Sequence, residues 1–261
     1  MNISLKGKTA LVGASSGGIG EAIARQLAES GAQVTLMARN ENKLKALVND
    51  LPKSVGQHHG YLLVDFSDYG SFEKAITDYF SDNTVDILIN NTQGPPAGSA
   101  LEVSIGDYQK AFDLLFKSVA LTTELALPHM IGQKWGRIIN VASVSVKEPL
   151  SYLALSNSIR AAVVTWAKTL ATEVAAHHIT VNSLLTGYFD TERIAQLNAK
   201  KAEQLGIPES EVRAEMEERV PAKRIGAPKE YGYLAAFLAS EKAAYITGCQ
   251  IPIDGGLLKS L

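Results

Sequence analysis

The chain alternates short apolar runs with longer stretches that are apolar on one helical face only. KTALVGA, QVTLMAR, GYLLVDF, VDILINN, GRIINVAS, ITVNSLL and CQIPID are apolar at nearly every position and too short for helices, so they predict seven buried strands. Strands of this kind, separated by helix-length segments, predict a parallel sheet with both faces covered, because a crossover helix returns the chain to the start of each new strand. The expected fold class is α/β, a doubly wound parallel sheet of about seven strands forming a single domain over residues 1–261.

The helix signals agree. Residues 21–30 carry Ile23, Ala24, Leu27 and Ala28 on one face and stop at Gly31, which can take the left-handed backbone that ends a helix. Ser104-Ile105-Gly106-Asp107 has the form of a capping box and predicts a long helix running through Met130. Residues 188–227 are rich in charge and interrupted by Gly206, Pro208 and Pro221; they separate the strand ITVNSLL from a framework helix over residues 229–239. An excursion at this edge of a parallel sheet is expected to cover a site.

Composition narrows the partners. A 261-residue chain with 46% hydrophobic residues can bury one large core, and its formal net charge of -2 supplies no basic field for nucleic acid. Cys249 has no second cysteine to pair with and is expected to be a small buried side chain. His58-His59 and His177-His178 are adjacent pairs whose members point in different directions, unlike metal ligands at helical spacing, and they read as solvated loop or helix-end residues. No metal site is expected. The N-terminus lacks an apolar segment behind a basic region, and nowhere do eighteen uncharged apolar residues run together, so the expectation is a soluble cytoplasmic protein without a membrane partner.

The first strand is followed directly by Gly13-Ala14-Ser15-Ser16-Gly17-Gly18-Ile19-Gly20, and this loop opens the first helix. Glycines at such a junction allow a tight turn and bring backbone N–H groups to a pyrophosphate, which the positive end of the helix dipole also attracts. The second strand ends in Ala38-Arg39-Asn40, where a dinucleotide site meets the adenosine ribose. An acidic residue there would bind the hydroxyl of NAD, whereas Arg39 suits the ribose phosphate of NADP; NADP is the favoured cofactor and NAD the less favoured one. Asp65 ends the third strand and can accept from an adenine amino group or form a turn.

These features together resemble the short-chain dehydrogenase/reductase family along essentially the whole chain. The family's glycine loop falls on Gly13 to Gly20, with Gly13 in place of its threonine and Ala14 in place of its first glycine, while Gly18 and Gly20 are kept. Asn90-Asn91-Thr92 is similar to the start of its Asn-Asn-Ala-Gly motif, Thr186-Gly187 stands for its proline-glycine, and IPIDGG matches its final strand. The resemblance implies a Rossmann-type fold and places Gly13, Ser15, Ser16, Gly18, Ile19, Gly20, Arg39, Asp65, Phe66, Asn91 and Thr92 along the cofactor. It also implies a homo-oligomer, dimer or tetramer, paired through the long helices at residues 107–130 and 152–176.

The family's catalytic group is Asn, Ser, Tyr and Lys. Counting from Ser143 in NVAS, its tyrosine position is Ser156 and its lysine position is Arg160, and its asparagine falls on Leu115. Only the serine is kept, in a pattern that resembles a divergent subgroup of β-ketoacyl-carrier-protein reductases. A serine hydroxyl is a far weaker acid than a phenol, and an arginine cannot give up its proton; together they can bind and polarise a substrate oxygen. Tyr152, four residues before Ser156, and the loop residues Lys147 and Glu148 are the other candidate proton groups. The leading reading is an NADP-dependent carbonyl reductase or alcohol dehydrogenase using Ser143, Ser156 and Arg160 on a small-molecule carbonyl or alcohol. The alternative is a catalytically impaired NADPH-binding sensor or scaffold.

Overall fold

The computed structural model describes residues 2–260. All seven expected strands form, β1 (Thr9–Val12), β2 (Gln33–Ala38), β3 (Gly60–Leu63), β4 (Ile87–Asn90), β5 (Gly136–Val141), β6 (Ile179–Thr186) and β7 (Gln250–Ile253). They make one parallel sheet in the order β3-β2-β1-β4-β5-β6-β7. The chain thus winds outward from β1 in one direction, then returns to start again at β4 on the other side. The crevice between the carboxyl ends of β1 and β4 is where a doubly wound sheet binds ligands.

Nine helices cover the two faces: α1 (Gly18–Glu29), α2 (Glu41–Asp50), α3 (Tyr69–Asp82), α4 (Ile105–Phe112), α5 (Ser118–Gln133), α6 (Ala154–Val174), α7 (Glu192–Leu205), α8 (Glu209–Arg219) and α9 (Pro228–Ala239) among the described residues. Successive strand residues point to opposite faces. Ala10, Val12, Leu36 and Ile89 pack with Ile23 and Leu27 of α1, Leu44 of α2 and Ala235 of α9, whereas Leu11, Met37 and Leu88 pack with Phe72 of α3, Met130 of α5 and Ala167 of α6. Helices α1 and α9 approach closely enough that a Cβ on Gly232 would lie 2.6 Å from the carbonyl oxygen of Ala22. The capping box forms as expected, with the Ser104 and Asp107 side chains each accepting from the other's backbone N–H. Its helix is interrupted by a π-helical turn, Asp113–Lys117, before continuing as α5. The whole stretch Ile105–Gln133 is long and apolar enough to cross a membrane, but its Leu114, Leu115, Ala126 and Met130 are committed to the core.

Some expectations give way. Strands β3 and β7 lie at the sheet edges and are only partly covered. Cys249 is exposed, because it enters the edge strand β7 with its backbone, not its side chain, anchored: its N–H donates to Asn182 Oδ1 and its carbonyl accepts from Ser183. His59 is not a solvated loop residue; its Nδ1 accepts from the Val34 N–H at 3.1 Å, which leaves Nε2 to donate to the Pro52 carbonyl at 2.8 Å. The helix expected from residue 152 begins at Ala154, and the excursion over 188–227 folds into α7 and α8. Gly206 ends α7 at φ +67. Residues 1 and 261 of the expected domain lie outside the described residues.

Two outcomes follow from this packing. Gly232→Ala forces α9 away from α1, and a denaturant melt is expected to show a loss of about 1–3 kcal/mol, as overpacked cores do; an unchanged midpoint would mean the contact is not tight. Burial holds the His59 imidazole below its ordinary pKa of 6.5. The unfolded chain takes up a proton as pH falls through that value while the folded chain does not, so stability present at neutral pH declines below it. Urea melts on either side of that pH should show a smaller decline in His59→Asn than in the native chain.

Candidate active site

The site is built where β1 meets β4. The Gly13 N–H donates to the Ile89 carbonyl at 3.1 Å, and a Cβ on Gly13 would lie 2.1 Å from the Asn91 carbonyl oxygen, so only glycine admits this approach. Asn91 Nδ2 donates back to the Gly13 carbonyl at 3.0 Å. Ala14 takes a left-handed φ of 42, at the position where the family pattern has glycine. Ser15 stitches the loop to both strands: its Oγ donates to the Val12 carbonyl at 2.9 Å and accepts from the Met37 N–H at 3.0 Å. Gly20 packs 2.3 Å, by its missing Cβ, from the Ala14 carbonyl oxygen, which seats the first turn of α1 directly on the loop. The free N–H groups of that turn and the positive end of the helix face the crevice.

A cleft of about 590 Å³ runs over the carboxyl ends of the central strands. Gly18, Ile19, Gly20 and Arg39 line it, together with Asn91, Thr92 and Gly94 after β4 and with Ser143, Ser156, Arg160 and Thr186. Nine of the sequence-derived candidates are therefore brought together. Five do not line the cleft. Gly13 and Ser15 hold the strands, as above, and Ser16 is half-buried beside them. Asp65 forms a turn, its Oδ1 accepting from the N–H and Oγ of Ser67, while its Oδ2 lies 3.8 Å from Arg39 Nη1. Phe66 is a core residue, 5% exposed and packed ring to ring on Phe72 at 5.1 Å.

Ser143 follows β5 with extended backbone, and its Oγ accepts from the Ser145 N–H at 3.1 Å. Ser156 lies in the first turn of α6, 9% exposed, and Arg160 follows one turn later on the same face. Arg160 donates through Nη1 to the Val141 carbonyl. Burial pulls its pKa below the usual arginine value, with Tyr231 opposing the shift. Tyr231 is fully buried on α9, with its hydroxyl 3.0 Å from Thr186 Oγ1; burial raises its phenol far above the ordinary value, against the pull of Thr186 and Arg160. Sequence reasoning missed Tyr231, which reads as one more core position of an apolar helix.

The other proton candidates fall away. Tyr152 precedes α6 in a turn, its carbonyl accepting from the Gly98 N–H at 2.8 Å, so it does not stand one helical turn behind Ser156. Glu148 Oε1 accepts from the N–H groups of Lys259 and Ser260, which holds its carboxyl below the usual range. Neither residue lines the cleft, nor does Lys147. Leu115, at the family's asparagine position, lies in the π-helical turn, 2% exposed in the core.

The excursion contributes part of the lining. Phe189, Thr191, Glu192, Arg193 and Ile194 line the cleft, and the Thr191 methyl would lie 3.3 Å from a Cβ on Gly18. Arg193 Nη2 donates to the Pro95 carbonyl at 3.3 Å, and Glu192 lies 3.6 Å from Lys43 of α2. Thr191 is the N-cap of α7, a signal present in the sequence, but nothing in the spacing tells that this helix start lies over the glycine loop.

Known proteins share this architecture. Residues 13–258 match the family model described as enoyl-(acyl carrier protein) reductase. The chain is 38% identical over 259 residues to the oxidoreductase UcpA of Salmonella typhimurium, covering 97% of this chain and 95% of that protein. It is 30% identical over 259 residues to the 3-oxoacyl-[acyl-carrier-protein] reductase FabG of Aquifex aeolicus, covering 98% of this chain and all of the relative. Among solved structures, L-sorbose reductase from Gluconobacter frateurii, complexed with NADPH and L-sorbose, superposes with a TM-score of 0.93 at 29% identity over 100% of both chains. The sheet order, the glycine loop and these matches agree along the whole chain, which belongs to the short-chain dehydrogenase/reductase family.

Proposed function

We propose that this protein is an NADPH-dependent reductase of a small carbonyl compound, or the reverse alcohol dehydrogenase, working with Ser143, Ser156 and Arg160 in place of the usual catalytic group. The observation that carries this reading is the convergence of these three side chains with the glycine loop and Arg39 on one cleft. The cleft suits a dinucleotide. Gly17 and Gly18 offer backbone at the α1 N-terminus, and no atoms outside its immediate neighbours lie within 4 Å of a Cβ on Gly17, so the approach is open. Arg39 stands at the ribose end with a single weak carboxylate partner that a phosphate can displace. NADPH has a relative-level precedent in the L-sorbose reductase complex.

When bound, the reduced nicotinamide supplies a hydride to the substrate carbon. Ser143 and Ser156 donate hydrogen bonds to the substrate oxygen, and the fixed charge of Arg160 stabilises the negative charge that develops there. The titratable side chains lining the cleft are Arg39, Arg160, Arg193 and Glu192, and Glu192 is exposed and paired with Lys43. None of these is a neutral acid poised for transfer, so the proton comes from solvent at the cleft mouth. Leu115 favours the second reading, a nucleotide-binding sensor or scaffold, because it removes a polar group from the catalytic layer. NADPH oxidation assayed across ketones and keto esters separates the two; a complete absence of turnover favours the sensor. We further propose a homo-oligomer, dimer or tetramer, paired through the long helices at residues 107–130 and 152–176, between which Phe112, Phe116 and Trp166 cluster.

NADPH is expected to bind more tightly than NADH, and Arg39→Asp to abolish or invert that preference; equal affinities in fluorescence titrations of the native protein would remove the cofactor assignment. Turnover of ordinary ketones is expected to be slow, and Ser156→Tyr combined with Arg160→Lys to raise kcat by more than the product of the single changes, because a phenol and an ammonium act as a unit. Positioned acid catalysis contributes about 10²–10⁴-fold, so the gain is measurable. Loss of activity in the double variant would instead mean that this helix is not an impaired version of the usual one and that its native residues are already matched to the substrate.

A further inference from the structure

Arg193, an exposed cation in the first turn of α7, has its place in the cleft fixed at both ends of the side chain. At its root, the N-cap residue Thr191 packs on the glycine loop, its methyl 3.3 Å from the point where a Cβ on Gly18 would stand. At its head, Nη2 donates to the Pro95 carbonyl at 3.3 Å and lies 3.8 Å from the point where a Cβ on Gly94 would stand. Gly18 opens α1 after β1, whereas Gly94 and Pro95 belong to the loop that leaves β4. The side chain therefore runs from the glycine loop toward the loop after β4, across the crevice where the sheet changes direction. That crevice is where a doubly wound sheet takes its nucleotide.

The charges around Arg193 leave it free to meet an anion. Its one printed partner is a neutral carbonyl, and no carboxylate among the described residues lies at ion-pair distance. The acids that flank Thr191 are turned elsewhere: Glu192 lies 3.6 Å from Lys43, and Asp190 is held bidentate by Arg213 at 3.0 and 3.1 Å. The glycine loop, residues 13–20, has no lysine or arginine of its own, so by itself it offers a diphosphate only backbone N–H groups and the partial charge of the α1 dipole. The other cleft-lining cations stand on different elements. Arg39 follows β2, at the ribose, and Arg160 of α6 is buried against the Val141 carbonyl.

We propose that Arg193 is a binding residue for the diphosphate of the nucleotide, its guanidinium exchanging the Pro95 carbonyl for phosphate oxygens and strapping the diphosphate onto the glycine loop. This rests on the reading of the cleft as an NADPH site and adds to it a cation supplied by the excursion over residues 188–227. A guanidinium meets a phosphate through two parallel charge-assisted hydrogen bonds, whereas the contact it gives up is single, long and neutral. Because the strap is rooted in α7, a bound diphosphate also ties the start of that helix to the framework. An adenosine diphosphate moiety is sufficient for this, without nicotinamide or substrate.

The test is calorimetry on the full-length protein with three probes: NADPH, ADP, and adenosine phosphorylated only on the ribose hydroxyl that distinguishes NADP from NAD. Binding of NADPH to the native protein is measured first; its failure overturns the nucleotide reading of the cleft and this inference together. Arg193→Gln, an exposed change that does not threaten the fold, is expected to weaken NADPH and ADP by the same factor, roughly tenfold, as loss of a charge-assisted contact does. It should leave the ribose-phosphorylated adenosine unchanged. Arg39→Asp should do the reverse, weakening NADPH and the ribose-phosphorylated adenosine while sparing ADP. Arg193→Lys, which keeps the charge without the planar fork, should recover part of the loss, and rising salt should weaken ADP more steeply in the native protein than in Arg193→Gln. Hydrogen exchange supplies a readout apart from affinity: saturating ADP should slow exchange at the start of α7 in the native protein and not in Arg193→Gln. An unchanged NADPH affinity in Arg193→Gln, a loss that spares ADP, an equal loss for the ribose-phosphorylated adenosine, no slowing of α7 by ADP, or failure of ADP to bind a native protein that binds NADPH overturns the proposal and leaves the reductase reading standing.

Discussion

The closure of β1 onto β4 through Gly13 governs the rest of the site. With no side chain at that position, the two strand ends approach until the Asn91 carbonyl occupies the space a Cβ would need. The reciprocal bond from the Asn91 amide to the Gly13 carbonyl then fixes the direction in which the chain leaves β1. Ala14 is carried into a left-handed turn, Gly20 is pressed against it, and α1 begins with its free N–H groups over the crevice. A bulkier residue at position 13 would part the strands and misdirect the helix. The anion site is thus a consequence of backbone packing, and the loop's own charge comes from a dipole instead of a lysine or arginine.

The second organising constraint is where charge is allowed to be neutralised. On the outer surfaces, carboxylates meet arginines and lysines in exposed pairs of small individual value, such as Arg25 with Glu21 and Asp50. Deep in the cleft, the same pairing is withheld from Arg160. Its guanidinium is held by the Val141 carbonyl, with Tyr231 and Thr186 behind it as a hydrogen-bonded pair. That arrangement fixes a permanent cation in the wall of the same cleft that Ser143 and Ser156 line. Ser156 and Arg160 both sit in α6, which runs unbroken from Ala154 to Val174.

The excursion between β6 and α9 adds to the wall of this cleft. Contacts of Thr191 toward Gly18, Arg193 with Pro95 and Glu192 near Lys43 tie the start of α7 to three separate parts of the framework. Each is weak and partly solvated. Segments held by such contacts open more readily than the sheet, where Val12, Ile89 and Leu184 are fully buried.

Much of this was legible in the order of residues. Strand and helix periodicity, the capping box at Ser104 and the helix stop at Gly31 are local signals, and local backbone chemistry decides them; all seven strands and the framework helices follow. The spacing of Ser143, Ser156 and Arg160 could be counted because no insertion interrupts that segment, and all three meet in the cleft. What the sequence could not determine is which way a side chain turns once its strand or loop is packed. Phe66 and Ser15 lie next to cofactor positions in the chain yet face the core, Cys249 faces solvent from an edge strand, and His59 fills a gap between elements. Tyr231 and Arg193 stand far in sequence from the serines, and only the tertiary fold brings Tyr231 behind the cleft-lining Thr186 and Arg193 to the cleft wall. Periodicity reports each element's own geometry, whereas the charge balance of a cleft depends on which distant carboxylates have already found partners, a property of the assembled packing alone.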